Sequence, residues 1–436
     1  MTDPMFDVVV VGAGPAGCAA ALEAARAGRT VALVERGPFP GSKNVYGGVV
    51  YGRILGELVE DWWEKMPVER WVTRRSTMVM TQDQALTVDF RSQDWAAPPY
   101  NGATVHRAEL DSWLASLAVE AGAVLVTSTV ATGLLRDARG RVTGVRTDRP
   151  DGDLTASVVI ACDGVNSFLA KEAGLYPSGP TVEHTTLGVK ETLALPREVI
   201  EERFAVTGRE GVDLEILGCT QSIPGGGFLY THLDSVSIGV VVGLKGLAAA
   251  KVRPEDLLAG LKAHPAIAPL IRGAELKEYS AHLIPEGGFD TIPDLVGDGI
   301  LVAGDAASMC LAAGIWLEGV NFALGAGMYA GRAAAAAVAR GDCSRMGLSG
   351  YRRMLEASFV LADHRKLRRA PGLLFSERFQ QQYPALICDV VQGLFHVDNP
   401  RPKPGALRLL RTAARRHGVR ARHLVADALN GLRTFG

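Results

Sequence analysis

The sequence predicts an α/β protein built around a dinucleotide-binding unit, and three observations carry that prediction. The first is FDVVVVGAGPAGCAAALEAARAG at the N-terminus, an apolar run followed by a glycine turn and an alanine-rich segment. The second is a set of short β-rich runs within 181–280: HTTLGVK, VDLEIL, GFLYTHL and SVSIGVVV. The third is a change to a helical, basic pattern from about residue 346. The expected order is a nucleotide-binding domain over 1–180, an antiparallel β-sheet domain over 181–280, a return to the first domain over 281–345, and a C-terminal helical basic region over 346–436.

The N-terminal unit is the most specific element. Phe6–Val11 reads as a buried strand, and Gly12, Gly14 and Gly17 form G-x-G-x-x-G. Pro15 and Ala16 open a helix that runs to Ala27, where Gly28 stops it. TVALVE supplies a second strand. Glu35 ends it, 21 residues after Gly14, and Arg36 follows. The whole context of strand, turn, helix, strand and acid is present, which makes this a Rossmann-like unit. Its first glycine makes the tight turn and its second admits a pyrophosphate to the backbone. The third lets helix and strand pack closely. The helix N-terminus faces the phosphates, and the acid accepts from ribose hydroxyls.

The following elements are less specific. GSKNVYGGVVY at 41–51 combines Lys43 and Asn44 with Gly47 and Gly48, a composition expected where something approaches the backbone closely. TVHRAELDSWLA places Arg107 four residues before Asp111, which by itself reads as a surface ion pair. The segment VLVTSTVATGLLRDARGRVTGVRTD, which contains Val130, reads as a hairpin turning at Ala138–Gly140. ASVVIACDGVNSFLAK ends a strand on Asp163 and Gly164, and PEDLLAGLKAHPAIAPLI reads as a helical pair marked by Pro254 and Pro265. The late run DGILVAGDAASMC ends a strand on Gly304 and Asp305. An acid there suits the hydroxyls of a flexible polyol such as ribityl, and it can equally cap the next helix. A single fingerprint at the extreme N-terminus, joined to this late acid, points to FAD rather than NAD.

Composition excludes several classes. The chain has 436 residues, 47% hydrophobic and 21% charged, enough for two or three packed domains and unlike a disordered chain. A net charge of −1 gives no general attraction to nucleic acid. Six cysteines lie far apart with no C-x-x-C pair, which argues for a reducing compartment. No Lys or Arg precedes Arg26, so the N-terminus reads as a strand and not a secretory leader. Residues 299–331 form the longest weakly charged run, but Asp305, Glu318 and six further glycines argue against a membrane span. His184, His232 and His282 fall in strand-like runs and read as packed core histidines, and Cys162 and Cys310 as small packing residues. No nucleophile triad, catalytic side chain or metal-ligand cluster stands out.

The fingerprint, R-x-x-x-D, D-G and G-D segments together resemble flavoproteins of the glutathione-reductase-like class, which includes aromatic hydroxylases and geranylgeranyl reductases. ERGPFPGSKNVYGGVVY, FLAKEAGL, GFLYTHLDSVSIGVVV and KEYSAHLIPEGG are similar to the electron-transfer flavoprotein–quinone oxidoreductase family, nearest its FixC-like branch. The resemblance spans roughly residues 5–340. It implies an FAD-binding domain whose fingerprint holds the ADP half of FAD. Arg107 and the strand near Val130 would lie along the cofactor. Gly304 and Asp305 would contact the ribityl chain, and the backbone at Gly319, Val320 and Asn321 would approach the flavin pyrimidine. Gly47 and Gly48 would let their loop lie against the isoalloxazine, with Lys43 and Asn44 near its polar edge or the pyrophosphate.

The same resemblance implies an FAD-dependent electron-transfer dehydrogenase that exchanges electrons with electron-transfer flavoprotein subunits. The full-length quinone oxidoreductases carry a four-cysteine iron–sulfur segment near the C-terminus. Here only Cys343 and Cys388 follow Cys310, and an ordinary cluster needs four thiolates. A separate ferredoxin-like subunit is therefore expected, with quinone as onward acceptor and, in some relatives, electron bifurcation. Two rival readings share the flavin motifs: a prenyl-reductase-like or monooxygenase-like enzyme, and a non-catalytic assembly subunit. The expected location is cytoplasmic. The tail 401–425, with eight Lys or Arg and no Asp or Glu, suits peripheral contact with the cytoplasmic membrane face or with a partner. Leu407, Leu410 and Ala414 would share one helix face, interrupted at Gly418.

Overall fold

The computed structural model describes residues 4–44, 47–176, 178–314 and 317–436. Val45 and Tyr46 of the KNVYGG motif lie outside the described residues. The fold is α/β, with two large sheets and a helical C-terminal region.

The first sheet has a parallel centre. Its strands run in the order 300–302, 154–161, 6–11, 31–34 and 124–126, with Val8 opposite both Val31 and Val158. Such strands are covered on both faces, which is why VVVV and VALV are unbroken apolar runs. The expected hairpin is present as Ala131–Arg136 and Val142–Thr147, and it pairs with the first residues of strand 154–161, at 154–155.

Helix Pro15–Arg26 packs against helix Val320–Ala339 through glycines. A Cβ at Gly327 would stand 1.9 Å from the Ala16 carbonyl oxygen, and one at Gly331 would stand 2.3 Å from that of Ala20. Among the described residues, Val320–Ala339 is the one helix long and apolar enough to cross a membrane, and it is mostly buried in the core. The apolar run of the sequence is thus accounted for by close helix packing.

The second sheet differs from the antiparallel domain expected over 181–280. It is mixed and wider. Its order is 275–285, 185–194, 235–243, 225–231, 210–217, 70–80, 103–104 and 49–50, with 85–91 added beside 70–80. Strands 210–217 and 70–80 are parallel, because 70–80 comes from the earlier part of the chain and meets the later meander edge to edge. Alternation sorts the two faces. Val236, Ile238, Val240 and Val242, with Val212 and Leu214, enter a core that includes Leu257, Leu258 and Leu261 of helix Pro254–Ala263. The opposite face looks toward the first sheet's domain. The expected helical pair reduces to that single helix. Pro265 cannot donate a backbone hydrogen bond, and the chain continues in turns through 273.

At the C-terminus, helices Tyr383–Phe395, Ala406–Arg416 and Ala421–Phe435 follow one another. Leu410 and Ala414 pack with Leu386, Ala413 and Val419, whereas Leu407 is 69% exposed. Gly418, at φ +69°, ends the basic helix as the sequence suggests.

Candidate functional site

A cavity of about 820 Å³ lies between the two sheets' domains. Its lining includes Gly12, Gly14, Pro15, Ala16, Glu35, Arg36, Lys43, Asn44, Gly47, Gly48, Arg107, Val130, Asp163, Gly164, Asp305, Gly319 and Val320. Seventeen of the twenty residues singled out in the sequence are therefore brought together. Gly17, Gly304 and Asn321 stand behind the surface. A Cβ on Gly17 would sit 1.8 Å from the Gly12 carbonyl oxygen, and one on Gly304 would sit 2.8 Å from the Ala16 Cβ, so both serve packing. Asn321 donates its side-chain amide to Glu318.

The glycines of the fingerprint separate by environment. Gly12 has φ +100°, and a Cβ there would meet the Cys162 carbonyl oxygen at 2.3 Å. Gly14 has nothing within 4 Å of its absent Cβ, and it precedes Pro15 at the start of the first helix. The opening at Gly14 faces the cavity where a helix N-terminus offers unpaired N–H groups, a cradle for an anion. Gly164, at φ +81°, is equally open. Glu35 accepts from the backbone N–H of Ala13 at 3.0 Å and of Gly37 at 2.7 Å, so it fixes the glycine turn as well as facing the cavity.

The loop at 41–48 uses its glycines unequally. A Cβ at Gly48 would strike the Tyr230 hydroxyl at 2.6 Å and its ring at 2.7 Å, so that glycine is taken by the second sheet. Gly47, at φ +82°, has only an Arg107 nitrogen at 3.9 Å and stays open to the cavity. Asn44 Nδ2 lies 3.3 Å from His282 Nε2, and Lys43 is exposed at the rim.

Of three charged residues near the cavity, Arg107 departs from what was expected of it singly. Arg107 is buried, not on the surface, and donates to both Asp111 oxygens at 3.0 and 2.8 Å. Asp163 accepts from the Ser167 hydroxyl at 2.7 Å and from the Leu169 N–H at 3.2 Å, so it anchors the helix at Phe168–Glu172. Asp305 does not cap a helix. Its carboxylate has no hydrogen-bond partner among the described residues, and it lines the cavity. Burial raises its pKa, and the Arg107 charge opposes that rise. A half-buried acceptor on the cavity lining suits a polyol.

Sequence reasoning missed the second wall. Asp213 and Glu215 alternate with core residues along VDLEIL and face the cavity, as do Thr77, Phe228, Tyr230 and Glu286. The period-2 pattern was legible, but alternating acids ordinarily mark a solvent face. His282 sits in strand Glu275–Pro285; burial, with the Arg107 and Arg36 charges, lowers its pKa to about 4. It is a neutral hydrogen-bonding group on the cavity lining, not a packed core histidine. His232 is likewise held neutral by burial. His184 precedes a strand and does not lie within one.

Glu69, His106 and His232 bring their ligand atoms within 4.8 Å of one another, a cluster the sequence hid in three separate elements. Arg70, Lys190 and Lys277 add positive charge around His232, which disfavours a cation there.

The FAD dependent oxidoreductase family profile matches residues 7–175. The probable electron transfer flavoprotein-quinone oxidoreductase YdiS of Escherichia coli K12 is 39% identical over 432 residues, covering 99% of each chain. Protein FixC of Bradyrhizobium diazoefficiens is 41% identical, over 91% of this chain and 92% of its own. The chain belongs to the FixC and electron-transfer flavoprotein–quinone oxidoreductase family. It is an FAD-dependent oxidoreductase of electron transfer. This FixC-family chain also shares its fold with a geranylgeranyl bacteriochlorophyll reductase-like protein of Thermoplasma acidophilum. That match has a TM-score of 0.72 and 19% identity, covering 94% of this chain and 95% of the other. The open positions at Gly14 and Gly164, the helix N-terminus and the unpartnered Asp305 carboxylate fit FAD.

Proposed function

We propose that this FixC-family chain is the flavin subunit of an electron-transfer assembly. It exchanges electrons with an electron-transfer flavoprotein and passes them to a ferredoxin-like iron–sulfur subunit and to quinone. One observation carries the reading: a single cavity is lined both by the glycine turn of the parallel sheet and by the inner face of the mixed sheet. A dinucleotide seated on the first wall leaves the second wall for a redox partner. The relatives' names supply the partner classes. The iron–sulfur centre is placed in a partner because the thiolates here are too few and too scattered.

In this reading Gly12, Gly14, Pro15, Ala16 and Gly17 present the helix N-terminus to the pyrophosphate. Glu35 and Arg36 meet the adenosine half, and Val130 lies along it. Asp163, Gly164 and Asp305 meet the ribityl and phosphate portion, with Gly304 packed behind them and Arg107 as the nearby buried cation. Lys43, Asn44, Gly47, Gly48, Gly319 and Val320 surround the ring system, with Asn321 behind them. Bound flavin supplies two-electron uptake and one-electron release. The side chains bind, orient and exclude water.

The test mixes the holoprotein with reduced electron-transfer flavoprotein, then with a soluble quinone. The flavin absorption should bleach at the first step and return at the second. Bleaching by NADPH together with saturation of a prenyl chain would replace this reading with the reductase one.

Peripheral attachment to the cytoplasmic membrane face completes the proposal. Arg408, Arg411 and Arg415 are exposed beside Leu407 on helix Ala406–Arg416, and Val425, Leu429 and Leu432 are exposed on the next helix. Basic residues near an anionic surface contribute about 1 kcal/mol each. Replacing the three arginines by glutamine should abolish flotation with anionic liposomes at low salt. Unchanged flotation would remove the membrane from the proposal.

A further inference from the structure

Two buried acids on the second wall share one cation. Asp213 and Glu215 are neighbours on the cavity face of strand Glu210–Leu217, and they are 5% and 8% exposed. The parallel register sets Arg75 beside Asp213 and Thr77 beside Glu215, while the antiparallel register sets Tyr230 and Phe228 on the other side. Arg75 donates to Glu215 at 2.6 Å and lies 3.6 Å from Asp213. The Arg75 guanidinium also stands 5.4 Å from the centre of the Tyr51 ring.

Charge balance follows from this geometry. Two carboxylates and one guanidinium, all ionised, leave a net negative charge in a water-poor wall. Glu318, which also lines the cavity, adds to that field, and Tyr51 and Tyr230 are neutral phenols whose pKa values burial raises further. Burial pushes both acids upward, and the neighbouring Asp213 charge adds to the rise at Glu215, against the Arg75 charge. The pair therefore titrates as a unit that keeps one proton where ordinary carboxyls have lost theirs. A purely structural ion triad has no need to face a cavity, yet both carboxyl residues line this one.

We propose that Asp213 and Glu215 form a proton-loading pair that donates to the oxygen of a quinone-type acceptor bound against the second wall. The inference rests on the functional reading above and adds the groups that would perform its proton chemistry. Reduction converts the acceptor's two carbonyl groups to two hydroxyls, which takes two electrons and two protons. The two electrons and one proton come from the reduced flavin. The second proton comes from the carboxyl pair, whose O–H bond breaks as the acceptor's O–H bond forms. The pair is left as two carboxylates beside Arg75 and is reloaded from solvent.

The experiment uses the FAD-loaded protein and the variants Asp213→Asn, Glu215→Gln and the double variant, each checked for flavin content and thermal melting. Reduced flavin is reoxidised either by a soluble quinone or by ferricenium, which takes an electron and no proton. The quantity read is the ratio of the two rates across pH. In the wild type the ratio should fall as pH rises through the pair's titration. In the variants it should fall at least about tenfold and lose that profile, as expected for removal of a general acid. A protonated-carboxyl infrared band in the wild type should disappear in the double variant. If quinone reoxidises the wild type and the variants keep its ratio and profile, the proton-loading role is overturned while the functional reading stands. If quinone fails to reoxidise the wild type, the functional reading falls and this step falls with it.

Discussion

The two walls of the cavity are made by opposite means. The parallel-sheet wall presents backbone: an open Gly14, an open Gly164 and a helix N-terminus. The mixed-sheet wall presents side chains that titrate: Asp213, Glu215 and Glu286, with Arg75 behind the first two. Backbone N–H groups hold an anion without changing charge themselves. Buried carboxyls hold little at neutral pH but can gain and lose protons. The difference teaches that binding and proton chemistry are divided between the sheets, so substitutions on the two walls should fail in different ways.

The largest expected contrast lies inside the first wall. Gly12→Ala forces an alanine to φ +100° with its Cβ near the Cys162 carbonyl. It should cost more than about 3 kcal/mol of stability. Gly14→Glu places its Cβ where no protein atom lies within 4 Å and should change the ligand-free protein by less than about 1 kcal/mol. Its carboxylate would occupy the anion cradle, so flavin content after purification should fall to near zero. If both variants melt alike and both retain flavin, the division of labour between these two glycines is wrong.

Next in size is Arg75→Met. It leaves two buried carboxyls without their cation, and removal of one partner from a buried ion pair costs about 3–5 kcal/mol. The loss should be greatest at alkaline pH and shrink on acidification, since protonation removes the unpaired charge. Chemical denaturation at two pH values reads this directly. An equal loss at both would mean that Arg75 acts by packing alone.

Glu286 gives a cleaner titration, because burial raises it from an ordinary 4.5 to about 7. The folded state holds its proton more tightly than the unfolded state. Its contribution is therefore complete below pH 4.5 and is lost as pH rises through about 7. The magnitude is about 3.5 kcal/mol at most, at about 1.4 kcal/mol per unit. Glu286→Gln should flatten the stability profile of the ligand-free protein between those limits. A slope that survives the substitution would assign the titration to other groups.

The two walls also differed in how far the sequence revealed them. G-x-G-x-x-G with its strands and acid is a local pattern, since one stretch of 30 residues supplies turn, helix start and partner acid. Asp163, Asp305 and Arg107 were legible as candidates, but their roles depended on contacts the chain makes later. Asp163 turns back on Ser167 and Leu169, while Asp305 keeps its carboxylate free of hydrogen bonds from the described residues. The acid wall was not legible. Arg75 lies 138 positions before Asp213 in the chain and joins it only through a parallel strand pair, and no periodicity announces a pairing of that span. The mixed sheet escaped for the same reason.

The smallest effect concerns what closes the second wall. Phe435, at the end of the last helix, lines the cavity. That helix is tied to the rest of the C-terminal region by Asp427, which accepts from Arg378 Nε at 2.5 Å and Nη2 at 2.8 Å and from the Tyr383 hydroxyl. Asp427 is 5% exposed, but the Arg378 side chain is 35% exposed, so solvent weakens the pair. Asp427→Asn keeps the shape and one acceptor and removes the charge, at a cost of about 1 kcal/mol. Spread over a chain of 436 residues, that should move Tm by no more than about 2 °C. The local consequence should be larger than the global one. Amide exchange across 421–435 should quicken, and iodide should quench the bound flavin more readily, because the helix that carries Phe435 opens more often. If exchange in that helix and quenching both stay as in the wild type, the second wall is closed by packing around Phe435 itself and not by the charge at Asp427.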